Sequence, residues 1–500
     1  MRVMRNVLSP NPTHRRGGKR PAALAALLSA VTLFAPHARA QEGDLSGSAG
    51  VFIEPARART SAPRDRRAPQ RAAPRRAKPK PAATPAPTAS PTPGRPTGRT
   101  TPAVTAESLN ARAEAAIDAG RFNDAVEPLG QALKLKPDFA DAQYNLGFTL
   151  YSLGRTEEAV GPLRRASQLD TNDLEAYTRL GEALAKLDRH AEAAAAYEQA
   201  ARLSPRSAAV LSALGEEYGA AGDRERAVGA LKRAAALNPD DTDTQFDLGE
   251  ALYAGGKYAE AAEAFAHVVR VARQNADAYE NLGDSYRALN RWPEASAAYR
   301  DASRLKPADA DVLQKLGLAL GRDKKWQEAA DALKKAAAVK PGDGEAAVNL
   351  AWVYNNTGQY RLSIDTLKPV VAAKPDMTAA LFNLGTAYGH LAQKGAKNDA
   401  ERKELFGQAV ETLRRVTTLK SDWPEAHNNI GVALGSLGRF KEAVAAHAEA
   451  VRLKPDNGGF LFNLAYAYRK SGDKKMALET HKRLQAVNAS MAERLYPLVK

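Results

Sequence analysis

Residues 140–173 read ADAQYNLGFTLYSLGRTEEAVGPLRRASQLDTND, and this stretch decides the fold. A leucine and a glycine, Leu146 and Gly147, occupy its positions 7 and 8. A small residue recurs at position 8 every 34 residues, at Gly147, Gly181, Gly215, Gly249, Gly283, Gly317, Ala351 and Gly385. After one longer interval, Gly431 and Ala465 resume the pattern. Self-similarity at this period predicts an array of helical repeats.

Other positions of the 34-residue unit repeat as well. Position 20 is almost always alanine and position 27 is usually small, whereas position 24 is large in every unit. A large side chain that faces small ones lets two helices approach closely. Position 32 is often proline, which cannot continue a helix and therefore predicts a boundary between units.

At these positions the chain resembles the tetratricopeptide-repeat (TPR) family. The resemblance implies an all-α fold, a right-handed superhelix of antiparallel helix pairs. It covers residues 106–491 in about eleven units, and residues 492–500 are expected to close the last one. The units start at Ala106, Ala140, Leu174, Ala208, Thr242, Ala276, Ala310, Gly344, Thr378, Pro424 and Gly458. Unit nine carries about twelve additional residues near 392–403, whose charge and glycine predict an exposed loop.

Composition and motifs argue against catalysis. The chain has no cysteine, which excludes disulfides, thiol nucleophiles and cysteine-ligated metals. No glycine-rich phosphate loop, paired metal-ligand spacing or nucleophile elbow is present. His427, His447 and His481 occupy positions where other units place packing residues, so we interpret them as core substitutions. We therefore expect no enzyme activity, no cofactor and no metal.

The first 40 residues resemble a signal peptide. Four basic residues at 15–20 precede an apolar run from Ala22 to Ala35, and small residues, Ala38 and Ala40, flank Arg39. We expect cleavage before Gln41 and a periplasmic or extracellular protein. The alternative is an uncleaved anchor, but 14 apolar residues are fewer than the roughly 20 that span a bilayer.

Residues 41–105 form a second region, rich in proline, alanine and arginine. Twelve basic residues and four acidic ones give it a net charge of +8, and its composition predicts a disordered tether. Residues 1–40 add seven basic residues, so these two regions account for the whole net charge of +15. The repeats are neutral, with 53 basic and 53 acidic residues, and we expect no nucleic-acid partner.

The family resemblance implies that the first helix of each unit lines a concave groove, with positions 2, 5, 6, 9 and 13 facing into it. Acidic residues gather at these positions in units one to six, including Asp247, Glu250, Glu280 and Asp284. We predict that they bind a cationic partner segment, because a cleft focuses the field of its charges. The alternative is an ordinary solvated helix face.

Amides and aromatic residues replace the acids in the later units. Position 6 is asparagine at Asn281, Asn349, Asn383, Asn429 and Asn463, and aromatic residues stand nearby at Trp352, Phe382, Phe462 and Tyr466. An amide both donates and accepts, so a regular asparagine ladder can hold the backbone of an extended peptide. In the alternative interpretation, these asparagines bond within the repeats.

These observations predict a non-enzymatic scaffold that binds peptides or helices of partner proteins. Two alternatives stay open. Residues 41–105 could hold the protein against an anionic surface of the cell envelope. The same residues could also occupy the chain's own acidic groove.

Overall fold

The computed structural model describes residues 104–500. The predictions for the signal peptide and for residues 41–103 lie outside this range. The described residues form 23 α-helices and no β-strand. The first 22 helices make eleven consecutive pairs, which confirms the all-α repeat architecture.

The two helices of each pair alternate along the chain. The first helices are α1 (Ala106–Asp118), α3 (Ala140–Ser152), α5 (Leu174–Lys186), α7 (Ala208–Ala220), α9 (Thr242–Ala254), α11 (Ala276–Ala288), α13 (Ala310–Arg322), α15 (Glu345–Asn356), α17 (Thr378–Lys394), α19 (Pro424–Ser436) and α21 (Gly458–Ser471). The second helices are α2 (Phe122–Leu135), α4 (Thr156–Leu169), α6 (His190–Leu203), α8 (Arg224–Leu237), α10 (Tyr258–Val271), α12 (Trp292–Leu305), α14 (Trp326–Val339), α16 (Tyr360–Ala373), α18 (Asp399–Leu419), α20 (Phe440–Leu453) and α22 (Lys474–Val487). The chain ends in α23 (Ala489–Val499).

Local sequence explains where these helices begin and end. The side chain before many first helices accepts a hydrogen bond from the first turn, as Asp173 does from the backbone N–H of Ala176 at 2.8 Å. In every unit but the ninth, the turn inside the pair has a left-handed residue at position 15, which is usually glycine, for example Gly154 with φ of 78°. Asp188 and Asn290 adopt the same conformation in their units.

Close packing within each pair explains the small residue at position 8. A Cβ atom added to Gly147 would lie 2.5 Å from Cγ of Leu163, the large residue at position 24 of the same unit. Gly431 is equally close to the imidazole of His447, which takes the position 24 place in unit ten. His447 is buried, and its Nδ1–H donates to Oδ1 of Asn428 at 3.1 Å. Burial lowers the pKa of His447 to about 3, so this histidine is a neutral core residue.

Unit nine differs from the predicted exposed loop. α17 has 17 residues and α18 has 21, whereas most helices in the same places have 13 and 14. The additional residues lengthen both helices and leave only residues 395–398 between them. The apolar sides of the helices continue up to the insertion, where Leu391, Ala392 and Leu405 are buried, whereas residues 393–403 are exposed or partly accessible, as predicted. Burial of this surface favours a longer hairpin over a loop.

The last helix covers the end of the array. α23 packs against α21 and α22, and its Ala492, Leu495 and Val499 are buried. It begins at Ala489, three residues before the expected start of the closing segment. Repeat arrays need such a cover because the final unit has no neighbour to bury its apolar side.

Within residues 104–500, no helix combines the length and the apolar character needed to span a membrane. The same residues contain no group of three or more histidine, aspartate and glutamate side chains placed to hold a metal ion.

Candidate protein-binding groove

The first helices form the inner face of the array. In most steps along the array, the backbones of consecutive first helices, such as α1 and α3 or α15 and α17, come within 8 Å of each other. Among the helices described, consecutive second helices show no comparable approach. The side on which successive units lie closer together is the inside of a curved stack. The first helices therefore line its concave surface, as the family resemblance implied.

The structure divides the thirteen predicted groove residues into two groups. Eight are buried, namely Glu280, Asp284, Asn349, Trp352, Phe382, Asn383, Asn429 and Asn463. Five are partly accessible, namely Asp247, Glu250, Asn281, Phe462 and Tyr466. The buried residues connect neighbouring units, which changes the interpretation of both the acidic groove and the asparagine ladder.

The asparagine ladder joins successive first helices. Nδ2 of Asn349 donates to Oε1 of Gln314 at 3.2 Å, and Nδ2 of Asn463 donates to Oδ1 of Asn428 at 3.0 Å. Asn383 donates from the same atom to the backbone carbonyl of Val348 at 3.3 Å. These bonds link position 6 of one unit to position 5 of the unit before it. They favour the interpretation that the asparagines bond within the repeats, and contact with a peptide stays a prediction.

Two of the predicted groove acids belong to a buried charged cluster. Nζ of Lys315 donates to Oε1 of Glu280 at 2.6 Å and to Oδ2 of Asp284 at 2.9 Å. The hydroxyl of Tyr299 donates to the other oxygen of Asp284 at 2.7 Å. All four side chains are buried. Lys315 therefore compensates Glu280 and Asp284 inside the array, and we no longer count these two acids as part of a binding surface.

Lys315 is the residue that sequence reasoning missed. It occupies position 6 of unit seven, 35 residues after Glu280 and 31 after Asp284. The same two spacings join Asn145 to Asn110 and to Glu114 in units one and two. A cation at position 6 that follows acids at positions 5 and 9 of the preceding unit was the available signal.

The aromatic residues also connect units. Trp352 of α15 packs edge to face against Trp326 of α14, with ring centroids 5.7 Å apart. Phe382 of α17 stacks on Trp423, just before α19, with centroids 4.7 Å apart. Tyr466 in the last unit is partly accessible, and burial raises the pKa of its phenol to about 12. Trp352 and Phe382 thus help to hold the stack, whereas Tyr466 can still meet a ligand.

Charge is sorted between the two rows of helices. The first helices of units one to six contain fourteen acidic residues and four basic ones, a net charge of −10. The second helices of the same units contain eleven of each and are neutral. The first helices of units seven to eleven carry a net charge of +2, with three acidic and five basic residues. Negative charge is therefore concentrated on the inner face of the first six units.

Acidic and basic side chains of neighbouring second helices pair with each other. Arg164 meets Glu192 at 2.8 Å, and Arg300 meets Glu328 at 2.7 Å, each pair linking consecutive second helices. These side chains are roughly half exposed, so each pair contributes little to stability, about 1 kcal/mol or less. Their main effect is that the outer face presents a mixture of both charges.

A lysine at position 31 compensates the acid at position 2 in several units. Lys136 lies 3.0 Å from Glu107, Lys306 lies 2.5 Å from Asp277, and Lys340 lies 2.9 Å from Asp311. In units two to five, position 31 instead holds Asp170, Ser204, Asn238 and Ala272. This source of positive charge is thus missing along four consecutive units of the inner face.

We define the acidic surface as eight carboxylates on the first helices of units one to five that are exposed or partly accessible. Its members are Glu114, Asp118, Asp141, Glu175, Glu216, Asp243, Asp247 and Glu250. The pKa of Glu114 is raised, first by burial and then also by the charges of Asp141 and Asp118. Burial is the main cause, and the carboxylate of Asp141 in the adjacent unit adds to it.

Comparisons with known proteins agree with the repeat pattern. Residues 283–324, 322–388 and 398–486 match family models of the tetratricopeptide repeat. The chain is a tetratricopeptide-repeat protein. Residues 111–281 of this TPR protein match a model of the C-terminal domain of cilia and flagella-associated protein 70.

Solved TPR structures resemble parts of the array. YrrB, described as a TPR protein with an unusual peptide-binding site, is 25% identical and covers 37% of this chain and 95% of its own, with a TM-score of 0.35. MamA is 24% identical over 34% of this chain and 94% of its own, with a TM-score of 0.33. Yeast Tom70 is 14% identical over 79% of this chain and 94% of its own, with a TM-score of 0.36. No curated protein matches this TPR protein. These likenesses carry no information on what the chain binds.

Proposed function

We propose that this TPR protein is a non-enzymatic scaffold that binds a cationic, extended segment of a partner protein on the acidic surface. The eight accessible carboxylates of the acidic surface, beside second helices without net charge, carry the proposal. A concave surface lined by one sign of charge focuses its field and raises the local concentration of cationic ligands.

Aromatic rings of the inner face already receive cations of the chain itself. The guanidinium of Arg179 lies 5.4 Å from the ring centroid of Phe148, and Nζ of Lys186 lies 5.2 Å from that of Tyr151. Cation–π contacts of this kind contribute about 0.5–1 kcal/mol at exposed sites. A partner segment rich in arginine would have to displace these two cations before it could combine such contacts with ion pairs to the carboxylates.

The proposed location is outside the cytoplasm, because residues 15–40 resemble a cleavable signal peptide. Recovery of a mature protein that begins at Gln41 would support this part of the proposal. Recovery of the chain from the cytoplasm with residues 1–40 intact would contradict it.

The binding test uses three acids of one first helix. We expect the Asp243→Asn, Asp247→Asn, Glu250→Gln variant to bind an Arg- and Pro-containing synthetic peptide of charge +6 about tenfold more weakly at low salt. The reason is that each lost carboxylate removes roughly 0.5 kcal/mol of screened attraction. Fluorescence anisotropy of the labelled peptide measures the affinity, with neutral and −6 peptides of the same length for comparison.

A matched variant controls for the change in net charge. Glu127→Gln, Glu225→Gln and Glu263→Gln remove three exposed carboxylates from second helices of the same part of the array. We expect this variant to keep the affinity of the unaltered chain. Equal weakening by both variants, or equal binding of the +6 and −6 peptides, would contradict a specific acidic groove.

A further inference from the structure

The inner face of units one to three combines carboxylates with aromatic rings. Phe148 and Tyr151 are partly accessible and receive the cations of Arg179 and Lys186, and Phe148 stacks on the buried Tyr144 with centroids 6.2 Å apart. Asp141 and Glu175 are on the same first helices as these residues. Rings bind the faces of proline as well as guanidinium groups, so this combination suits a segment that contains both arginine and proline.

An unsatisfied acceptor lies beside this surface. The side chain of Asn145 is buried, and its Nδ2 donates to Asn110 at 3.0 Å and to Glu114 of the acidic surface at 3.4 Å. Its Oδ1 accepts no hydrogen bond from any residue in the described part of the chain. A buried acceptor without a donor costs roughly 1–3 kcal/mol.

The chain itself contains a segment with the matching chemistry. Residues 57–99, here called the basic segment, contain all twelve basic residues of the 41–105 region, one acid and ten prolines. Arginine supplies several N–H donors in a planar group. Dense proline disfavours helices and sheets, so the sequence predicts an extended segment that would suit a concave groove.

The basic segment is long enough to reach the acidic surface of its own array. It ends six residues before Thr105, the residue that caps α1. Forty-three residues in an extended polyproline-like form span about 130 Å. Four unit steps separate α1 from α9, and two helix spacings of at most about 10 Å per step make about 80 Å. A covalent connection of this kind also gives an effective concentration in the millimolar range.

We propose that the basic segment docks on the acidic surface of its own chain, so that a partner must displace it to bind. The inference rests on the proposed function, because both assign the same surface to cationic, extended ligands. In this inference the basic segment competes with partners for the acidic surface. The competition lowers the apparent affinity of the chain for every ligand that binds more weakly than the segment. Partners that bind must then carry more complementary charge, or more aromatic and hydrogen-bonding contacts, than the basic segment does.

The test compares chains from Gln41 onward, which contain the whole described array. One variant neutralises six arginines of the basic segment, namely Arg64→Gln, Arg66→Gln, Arg67→Gln, Arg71→Gln, Arg75→Gln and Arg76→Gln. We expect it to bind a labelled synthetic peptide of residues 57–99 about tenfold more tightly than the unaltered chain at low salt. Lysine at the same six positions should preserve most of the inhibition, because charge is retained.

Proximity within one chain is measured by cross-linking. The sequence has no cysteine, so an Ala72→Cys variant accepts a single photoreactive label. We expect cross-links from position 72 to peptides of the first helices α1–α9. Mixing ¹⁵N-labelled and unlabelled chains should yield cross-links within one isotope class, as docking within a chain requires.

The outcomes separate this inference from the proposed function. Equal peptide affinity in the unaltered and neutralised chains, or cross-links that join two isotope classes, would overturn docking within the chain while leaving peptide binding intact. If the neutralised chain binds no cationic peptide at all, both proposals fail. Binding of the basic segment to anionic lipid vesicles, without cross-links to the array, would instead support the envelope-tethering alternative.

Discussion

In several units the side chain at position 6 reaches back to the preceding first helix, and its chemistry matches what it meets there. Asn349 donates to the amide of Gln314, whereas Lys315 donates to the carboxylates of Glu280 and Asp284. Because these groups are buried, a mismatch would leave an unpaired charge or an unsatisfied amide. Position 6 therefore specifies how neighbouring units fit together.

Replacement of the buried Lys315 tests how much this residue stabilises the array. Lys315→Met should lower the free energy of unfolding of the central units by about 3–5 kcal/mol, because it removes the cation between two buried carboxylates, although Arg287 stays 3.6 Å from Asp284. Urea denaturation and hydrogen exchange of α11–α14 measure the loss. The triple variant Glu280→Gln, Asp284→Asn, Lys315→Met should recover much of the stability.

An exposed ion pair provides the comparison for Lys315. Lys334 lies 4.0 Å from Asp331, and both side chains are more than half exposed. Lys334→Met should change stability by less than about 1 kcal/mol. If Lys315→Met were as mild as Lys334→Met, the buried cluster would not stabilise the junction between units six and seven.

Residue identities predicted the packing sites better than the groove sites. Gly147 and Leu163 are identifiable from sequence because their sizes must be complementary in every unit. Asp247 and Asp284 look alike in the sequence, yet Asp284 is buried against Lys315 and Asp247 is partly accessible. Whether such an acid is buried depends on the residues of the following unit, here Lys315. Comparing positions within one unit does not reveal that contact.

The elements follow local signals except in unit nine. Capping residues and position 15 glycines predict most helix ends, because they satisfy backbone groups or permit a left-handed turn. The insertion near residues 392–403 contains glycine and many charges, which suggested a loop. Buried Leu391 and Leu405 on its two sides instead extend the apolar contact between α17 and α18.

The cap of the lengthened helix can be tested. Oδ1 of Asn398 accepts a hydrogen bond from the backbone N–H of Glu401 at 2.8 Å. Asn398→Ala should cost about 1 kcal/mol and speed the hydrogen exchange of the first turns of α18. Lys397→Ala, at an exposed neighbouring site, should have little effect. Unchanged exchange in the Asn398 variant would mean that packing alone holds these turns.

The whole molecule is a stack in which each unit contacts its neighbours. Stability then depends on each unit and on the interfaces beside it. Removal of residues 489–500 should expose the apolar surface under Leu495 and Val499 and speed hydrogen exchange in α21 and α22. Exchange in α1–α16 should stay unchanged.

The number of helices in which exchange becomes faster shows whether the repeats unfold separately or together. Faster exchange along the entire array would show that it unfolds as a single cooperative unit. No change in α21 and α22 would show that α23 does not stabilise the last repeat. Leu495→Asp serves as a second variant, because it should weaken the same contact without shortening the chain.

The sequence by itself determined the repeat period, the helix pairs, the close packing at positions 8 and 24, and the excess of acids on the early first helices. These features are repeated in unit after unit, so comparing units within one chain is enough to detect them. Tertiary structure decided which acids remain accessible, because burial depends on contacts between units. It also turned the asparagine ladder into a set of bonds between repeats and placed Lys315 between Glu280 and Asp284, leaving the acidic surface in units one to five.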